Sequence, residues 1–187
     1  PVTRSVEHAS FPGTITLGTG TFHAVLMDVG ASIARAGFRR LALLNGHGGN
    51  LPVIQAAIRD LRVEHGLHGF LLHVGAFCTA DDPLDERERR WGMHAGQWET
   101  SLILALDAGL ARMDKARAFC PELPGGKELG LGGPLAAGWV TSDWSPGGVF
   151  GDPTRATASQ GRATLHREGP RLARLLREIA TFTPPHG

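Results

Sequence analysis

The 187 residues carry 19 Lys and Arg against 18 Asp and Glu, a net charge of +1, with 42 % hydrophobic side chains. That is enough chain for one domain with a sizeable core, and the balanced charge removes the electrostatic case for a nucleic-acid or membrane-surface partner. No apolar run reaches membrane-spanning length, no secretory leader is visible, and Cys78 and Cys120 lack zinc-motif or CxxC spacing, so free thiols in a reducing cytoplasm are expected.

The chain opens on Pro1, and PVTRSVEHASFPGT reads as the interior of a longer protein. Residues 1–18 are expected to be extended, with a turn at Phe11-Pro12-Gly13-Thr14. Phe22, Val25, Leu26, Val29 and Ile33 recur at helical spacing, which predicts a helix over 20–36, capped by Thr19 or Thr21 and ended by Gly37. RRLALL (39–44) reads as a buried strand, LPVIQAAIRDLRV (51–63) as a helix with Asn50 as its cap and Pro52 in its first turn, and GFLLHVG (69–75) as a second strand. TADDPLDERERRWG (79–92) is expected to be a polar, lid-like loop. Gly96–Leu106 reads as a helix, 107–153 as an irregular Gly- and Pro-rich excursion, and 155–181 as a final helix bent or interrupted by Gly161, Gly169 and Pro170. Alternating strands and helices predict an α/β fold with a mainly parallel sheet and no second domain.

Three stretches could carry chemistry. LLNGHGGN (43–50) sets His47 among glycines at a strand-to-helix corner. In open α/β sheets that corner faces the ligand crevice. The glycines are expected to turn with positive φ and to let backbone approach a ligand. A satisfied turn histidine explains the local sequence nearly as well, and a phosphate loop is disfavoured because neither GxGxxG nor GK[ST] is present. GMHAGQWETS (92–101) offers His94 before a helix and Glu99 in its first turns, suited either to a divalent metal, to acid–base work, or to capping alone. Asp152-Pro153-Thr154 reads as a cap and nothing more. Among the other histidines, His65, His68, His166 and His186 are expected in solvent, His23 on a helix surface and His73 in the core. His8, just before the FPGT turn, is harder to dismiss.

EHASFPGT, LLNGHGGN, HAGQWETS, ARMDKA and GGVFGDPTRAT, in this order and across nearly the whole chain, resemble the creatininase (creatinine amidohydrolase) family, and its NGHGGN-type members more than creatininase itself. The resemblance implies a three-layer α/β/α fold, a homo-oligomer that is often a hexamer, and two divalent metals (zinc, manganese or iron) serving hydrolysis of a cyclic amide, amide or peptide C–N bond. It implies His47 as a metal ligand, Glu99 as the carboxylate ligand of the second metal, and His94 as the acid–base or substrate-orienting group. Gly48, Gly49 and Trp98 are expected at the substrate, and the loop 79–92 with the excursion 120–150, bearing Trp91, Trp139 and Trp144, is expected to shape its pocket. The substrate is expected to be a small-molecule amide or a peptide, with neither nucleic acid nor membrane as partner.

Two departures matter. Gly49 stands where creatininase has a glutamate, which argues against creatinine as substrate, and Gln97 stands where many relatives have Glu. The family's leading GSxEQHGPHLPLxTD-like segment, which supplies a Glu, a His and the metal-bridging Asp, would precede Pro1. Residues 1–187 are therefore expected to be a single creatininase-like domain without its N-terminal part and first strand–helix segment, and by themselves to hold metal weakly and show little activity. The competing reading is a degenerate, non-catalytic relative that binds a small molecule or assembles with a partner. A nucleotide-binding α/β domain lacks its phosphate motif.

Overall fold

The computed structural model describes residues 2–121, 131 and 136–185. His186 and parts of the glycine-rich excursion, 122–130 and 132–135, lie outside the described residues. By contacts the chain forms two compact units, one of Pro1–Val6, Ile15–Cys78 and Arg167–Gly187, the other of Glu7–Thr14 and Thr79–His166.

The first unit is the α/β part. It contains α1 (Thr19–Arg35), β1 (Arg40–Asn45), α2 (Leu51–His65) and β2 (His68–His73). The strands pair in parallel, from Arg40 opposite His68 to Asn45 opposite His73, so both end at the His47 corner. A parallel pair needs a crossover, and α2 supplies it, packing on both α1 and β2. Phe22, Val53 and Ile54 form the buried cluster, with Leu17, Leu26, Leu43, Ile58 and Leu71 against it. Each such side chain contributes about 1.5–3 kcal/mol of burial. Gly30 lets α1 approach α2, since a Cβ there would meet Leu61 Cδ1 at 2.6 Å.

Helix ends follow local chemistry. Gly37 at φ 93° and Gly66 at φ 64° take the left-handed conformation that ends α1 and α2. Asn50 precedes α2 without capping it by a side-chain bond. Its amide instead donates to Thr3 Oγ1 (3.2 Å) and Asn45 Oδ1 (3.1 Å), and its Oδ1 accepts the Arg4 N–H. The expected cap is thus a buried tie between the corner and the chain's first residues. The amphipathic face of α1 is only partly covered, with Val25 45 % and Val29 52 % exposed.

The second unit departs most from expectation. The polar stretch 79–92 contains α3 (Glu86–Trp91), whose N-cap Asp85 accepts the Glu88 N–H. That bond, together with the ion pair to Arg155, holds the Asp85 carboxyl below its usual range against a smaller opposing effect of desolvation. Asp82 and Glu88 are buried, each 3 % exposed, which is the opposite of a solvated lid. Asp82 accepts the Thr79 N–H (2.8 Å) and the Thr164 hydroxyl (2.7 Å). Beyond α3 come α4 (Gln97–Leu106) and the short α5 (Thr141–Trp144). Isolated antiparallel bridges join His94 to Phe150 and Phe119 to Gly151.

The helix α6 (Ala158–Thr181) continues through Gly161, Gly169 and Pro170, where a bend or an interruption was expected; of the two, the interruption is not found. Gly161 has a packing reason to be glycine, because a Cβ would fall on the Ser101 carbonyl of α4. Gly161→Ala is expected to cost about 1–3 kcal/mol, the range for overpacking. Gly169→Ala, where a Cβ meets nothing within 4 Å, is expected to be neutral or slightly stabilising. Urea midpoints of the two variants check this, and equal midpoints would contradict it.

Candidate active site

The expected site residues fall in both units: His47, Gly48 and Gly49 in the first, His94, Trp98 and Glu99 in the second.

In the first unit, β1 delivers the chain to Asn45, which is 4 % exposed. Asn45 organises the corner. Its Nδ2 donates to the His47 carbonyl (2.8 Å), and its Oδ1 accepts the His47 N–H (3.3 Å) and the Asn50 amide. His73, at the end of β2, lies with Nδ1 3.1 Å from the Asn45 carbonyl and 3.2 Å from Asn45 Nδ2. His47 is half-buried and extended (φ −137°, ψ 125°), and a 3-10 turn, Gly48–Asn50, follows it. None of Gly46, Gly48 and Gly49 takes a positive φ, contrary to expectation. The turn is made by side-chain bonds instead. A Cβ at Gly46 or Gly48 would meet nothing within 4 Å, so these glycines leave open backbone beside the imidazole.

In the second unit, the FPGT turn holds the segment that carries Glu7 and His8. The His8 carbonyl accepts the Phe11 N–H (3.0 Å) and the Thr14 hydroxyl (2.9 Å), and Gly13 turns at φ 86°. The His8 ring lies against His94, with centroids 4.5 Å apart and planes 33° apart. His8 Nδ1 is 3.8 Å from a Glu7 carboxylate oxygen. His94 is fixed from behind by its paired backbone bonds with Phe150, itself 1 % exposed. Glu99, in the first turn of α4, accepts the Ala95 N–H at 2.7 Å. Ala95 has φ 52°, the one positive-φ non-glycine among the described residues. Such backbone strain gathers at functional sites, where the surroundings over-determine it. The sequence singles out His8 without assigning it and passes over Glu7. Their placement depends on the long-range contact between His8 and His94, which local patterning cannot show.

Glu88 shapes the same segment from below. One carboxylate oxygen accepts the Gln97 N–H at 2.5 Å, and the other accepts the Asp152 N–H at 2.7 Å. Gly92, Gly96 and Gly151 wrap around it, and a Cβ on any of the three would collide with its carboxylate. Glu88 therefore ties the start of α4 to the Asp152 turn. Trp98 is buried at 7 % exposure, and its indole N–H, like the Gln97 side-chain carbonyl, finds no partner among the described residues.

The donor chemistry fits a divalent cation. Imidazoles and carboxylates are the ligands that zinc, manganese and iron take from proteins, and the Ala95 N–H orients the Glu99 carboxylate as an outer-shell partner orients a ligand.

Comparison with known proteins bears on this directly. The family model described as creatinine amidohydrolase matches residues 1–176. The chain is 35 % identical over 163 residues to a mycofactocin precursor peptide peptidase of Mycobacterium ulcerans, covering 84 % of this chain and 56 % of that protein. It is 35 % identical over 117 residues to a creatinine amidohydrolase of Pseudomonas putida, covering 56 % of this chain and 45 % of that protein. A solved structure described as creatininase Mn superposes with a TM-score of 0.69 at 25 % identity, over 95 % of this chain and 72 % of that one. The chain spans about half the length of the curated relatives it matches.

Proposed function

We propose that this chain, which belongs to the creatininase family, carries catalytic residues of a metal-dependent amidohydrolase that cleaves an amide or peptide C–N bond. The observation that carries this reading is the second-unit cluster. There His94 packs against His8, and Glu99 is aimed by the N–H of a strained Ala95.

Two divalent ions, of zinc, manganese or iron, are the proposed cofactor. When bound, such ions supply Lewis acidity toward the carbonyl and a water acidified to near neutral pH. His47 and Glu99 are proposed as ligands. His94 is the proposed acid–base group, holding a proton on an imidazole nitrogen and returning it to the departing amine. Its backbone bonds to Phe150 hold the main chain from which the ring projects. Gly48 and Gly49 are proposed to admit the substrate beside His47, and Trp98 to back the substrate side of α4. Gly49, where creatininase has a carboxylate, favours a peptide or amide other than creatinine. This reading takes residues 1–187 as one creatininase-like domain, working in the cytoplasm as a homo-oligomer such as a hexamer.

The test is hydrolysis of a panel of peptides, linear amides and cyclic amides by the full-length gene product, before and after chelation. Activity on at least one amide, lost on chelation and restored by zinc, manganese or iron, is the expected result. Hydrolysis indifferent to chelation would overturn the proposal.

A further inference from the structure

A second feature lies in the first unit, at the opposite end of the strands from His47. Arg40 and His68 are the first residues of β1 and β2 and are paired across the sheet. The His47 corner begins about 17 Å further along, at 3.3 Å per residue. Around Arg40 and His68 is an open pocket of about 380 Å³, lined by Arg39, Arg62, Gly66, Phe182, Thr183 and Pro184 besides those two. That volume falls in the range of small-molecule sites, roughly 300–1,000 Å³.

The pocket concentrates positive charge. Three arginines line it, and among the described residues no acidic side chain does. None of the three is ion-paired among the described residues. Two are oriented by neutral acceptors instead. Arg40 Nε donates to the Phe182 carbonyl (2.9 Å), and Arg62 Nη1 donates to the Gly66 carbonyl (2.9 Å) that follows α2. The Phe182 ring stands edge-on to His68 with centroids 5.6 Å apart, closing one wall. Desolvation, then the charges of Arg62 and Arg40, hold the His68 imidazole below the usual histidine range, so the cationic field reaches into the pocket. His68 is half-buried here rather than in open solvent as expected.

The geometry points to a site for a small phosphate-class oxyanion, free or as the phosphate group of a small metabolite, held by Arg39, Arg40 and Arg62 beside His68. Arginine suits this task because its planar fork meets an oxyanion with two donors at once. The site shares no residue with the proposed hydrolytic set and needs no metal.

The test follows the His68 ring proton by NMR while inorganic phosphate, and separately glycerol 3-phosphate, are added to the protein. A saturable shift at His68 is expected, with its pKa rising toward the ordinary histidine value. Arg39→Gln and Arg62→Gln, both exposed positions, are each expected to weaken binding about tenfold while thermal stability and amide hydrolysis stay unchanged. Tighter binding of the ester would identify an esterified ligand, and equal binding the free ion; either supports the oxyanion site. No saturable response at His68, or affinity unchanged in the double variant, would overturn it, whatever the outcome for amide hydrolysis.

Discussion

Glu88→Ala is expected to destabilise the protein by about 3–5 kcal/mol. The change orphans two buried backbone donors, Gln97 N–H and Asp152 N–H, at about 1–3 kcal/mol each, and leaves a cavity besides. The cavity cannot collapse easily, because Gly92, Gly96 and Gly151, which surround the carboxylate, carry no side chains to fill it. For a chain of this size the melting temperature should fall by about 10 °C or more. Glu88→Gln keeps the volume but turns an amide N–H toward one of the two donors, and is expected to cost about 1–3 kcal/mol. Glu86→Ala, two residues earlier on α3 and exposed, is the control and should stay within about 0.5 kcal/mol. A Glu88→Ala protein as stable as Glu86→Ala would show that the carboxylate does not hold the segment.

His94→Ala is expected to lower kcat for amide hydrolysis about 10²–10⁴-fold, the usual worth of a positioned general acid–base. Metal content should not change, since His94 acts here on protons and not as a ligand. The fold should survive, because His94 is tied to Phe150 through its backbone, which alanine retains. Glu99→Ala should behave differently, losing metal together with activity. Steady-state kinetics beside elemental analysis separates the two. A His94→Ala enzyme with wild-type kcat, or one that loses its metal, would remove His94 from the assigned role.

Much of the first unit was legible from periodicity. The strands expected at 39–44 and 69–75 appear as Arg40–Asn45 and His68–His73, and the helices expected at 20–36 and 51–63 as Thr19–Arg35 and Leu51–His65. These elements announce themselves locally, by apolar spacing and by Gly37 at the end of α1. The second unit was harder, because what decides it is non-local. TADDPLDERERRWG reads as solvated charge, yet Glu88 is buried by glycines at 92, 96 and 151 and satisfied by an N–H 64 residues away. Asn50 reads as a cap and serves as a buried tie, because Thr3, Arg4 and Asn45 offer it partners that the adjacent sequence does not reveal. Pro170 reads as a bend or an interruption, and α6 continues through it uninterrupted. For the candidate site, His47, His94 and Glu99 were nameable from motif and resemblance. That His8 lies against His94, and that Ala95 is strained between His94 and α4, required the fold.

The central claim is that His47 and Glu99 hold catalytic metal, and metal content per chain tests it most directly. Elemental analysis of the full-length gene product purified without added metal, beside its His47→Ala and Glu99→Ala variants shown to be folded, is the measurement. Zinc, manganese or iron in whole-number proportion to the wild-type full-length protein is expected, with metal lost from both variants. Wild-type protein that takes up no metal even when it is supplied, or variants that retain the full complement, would contradict it.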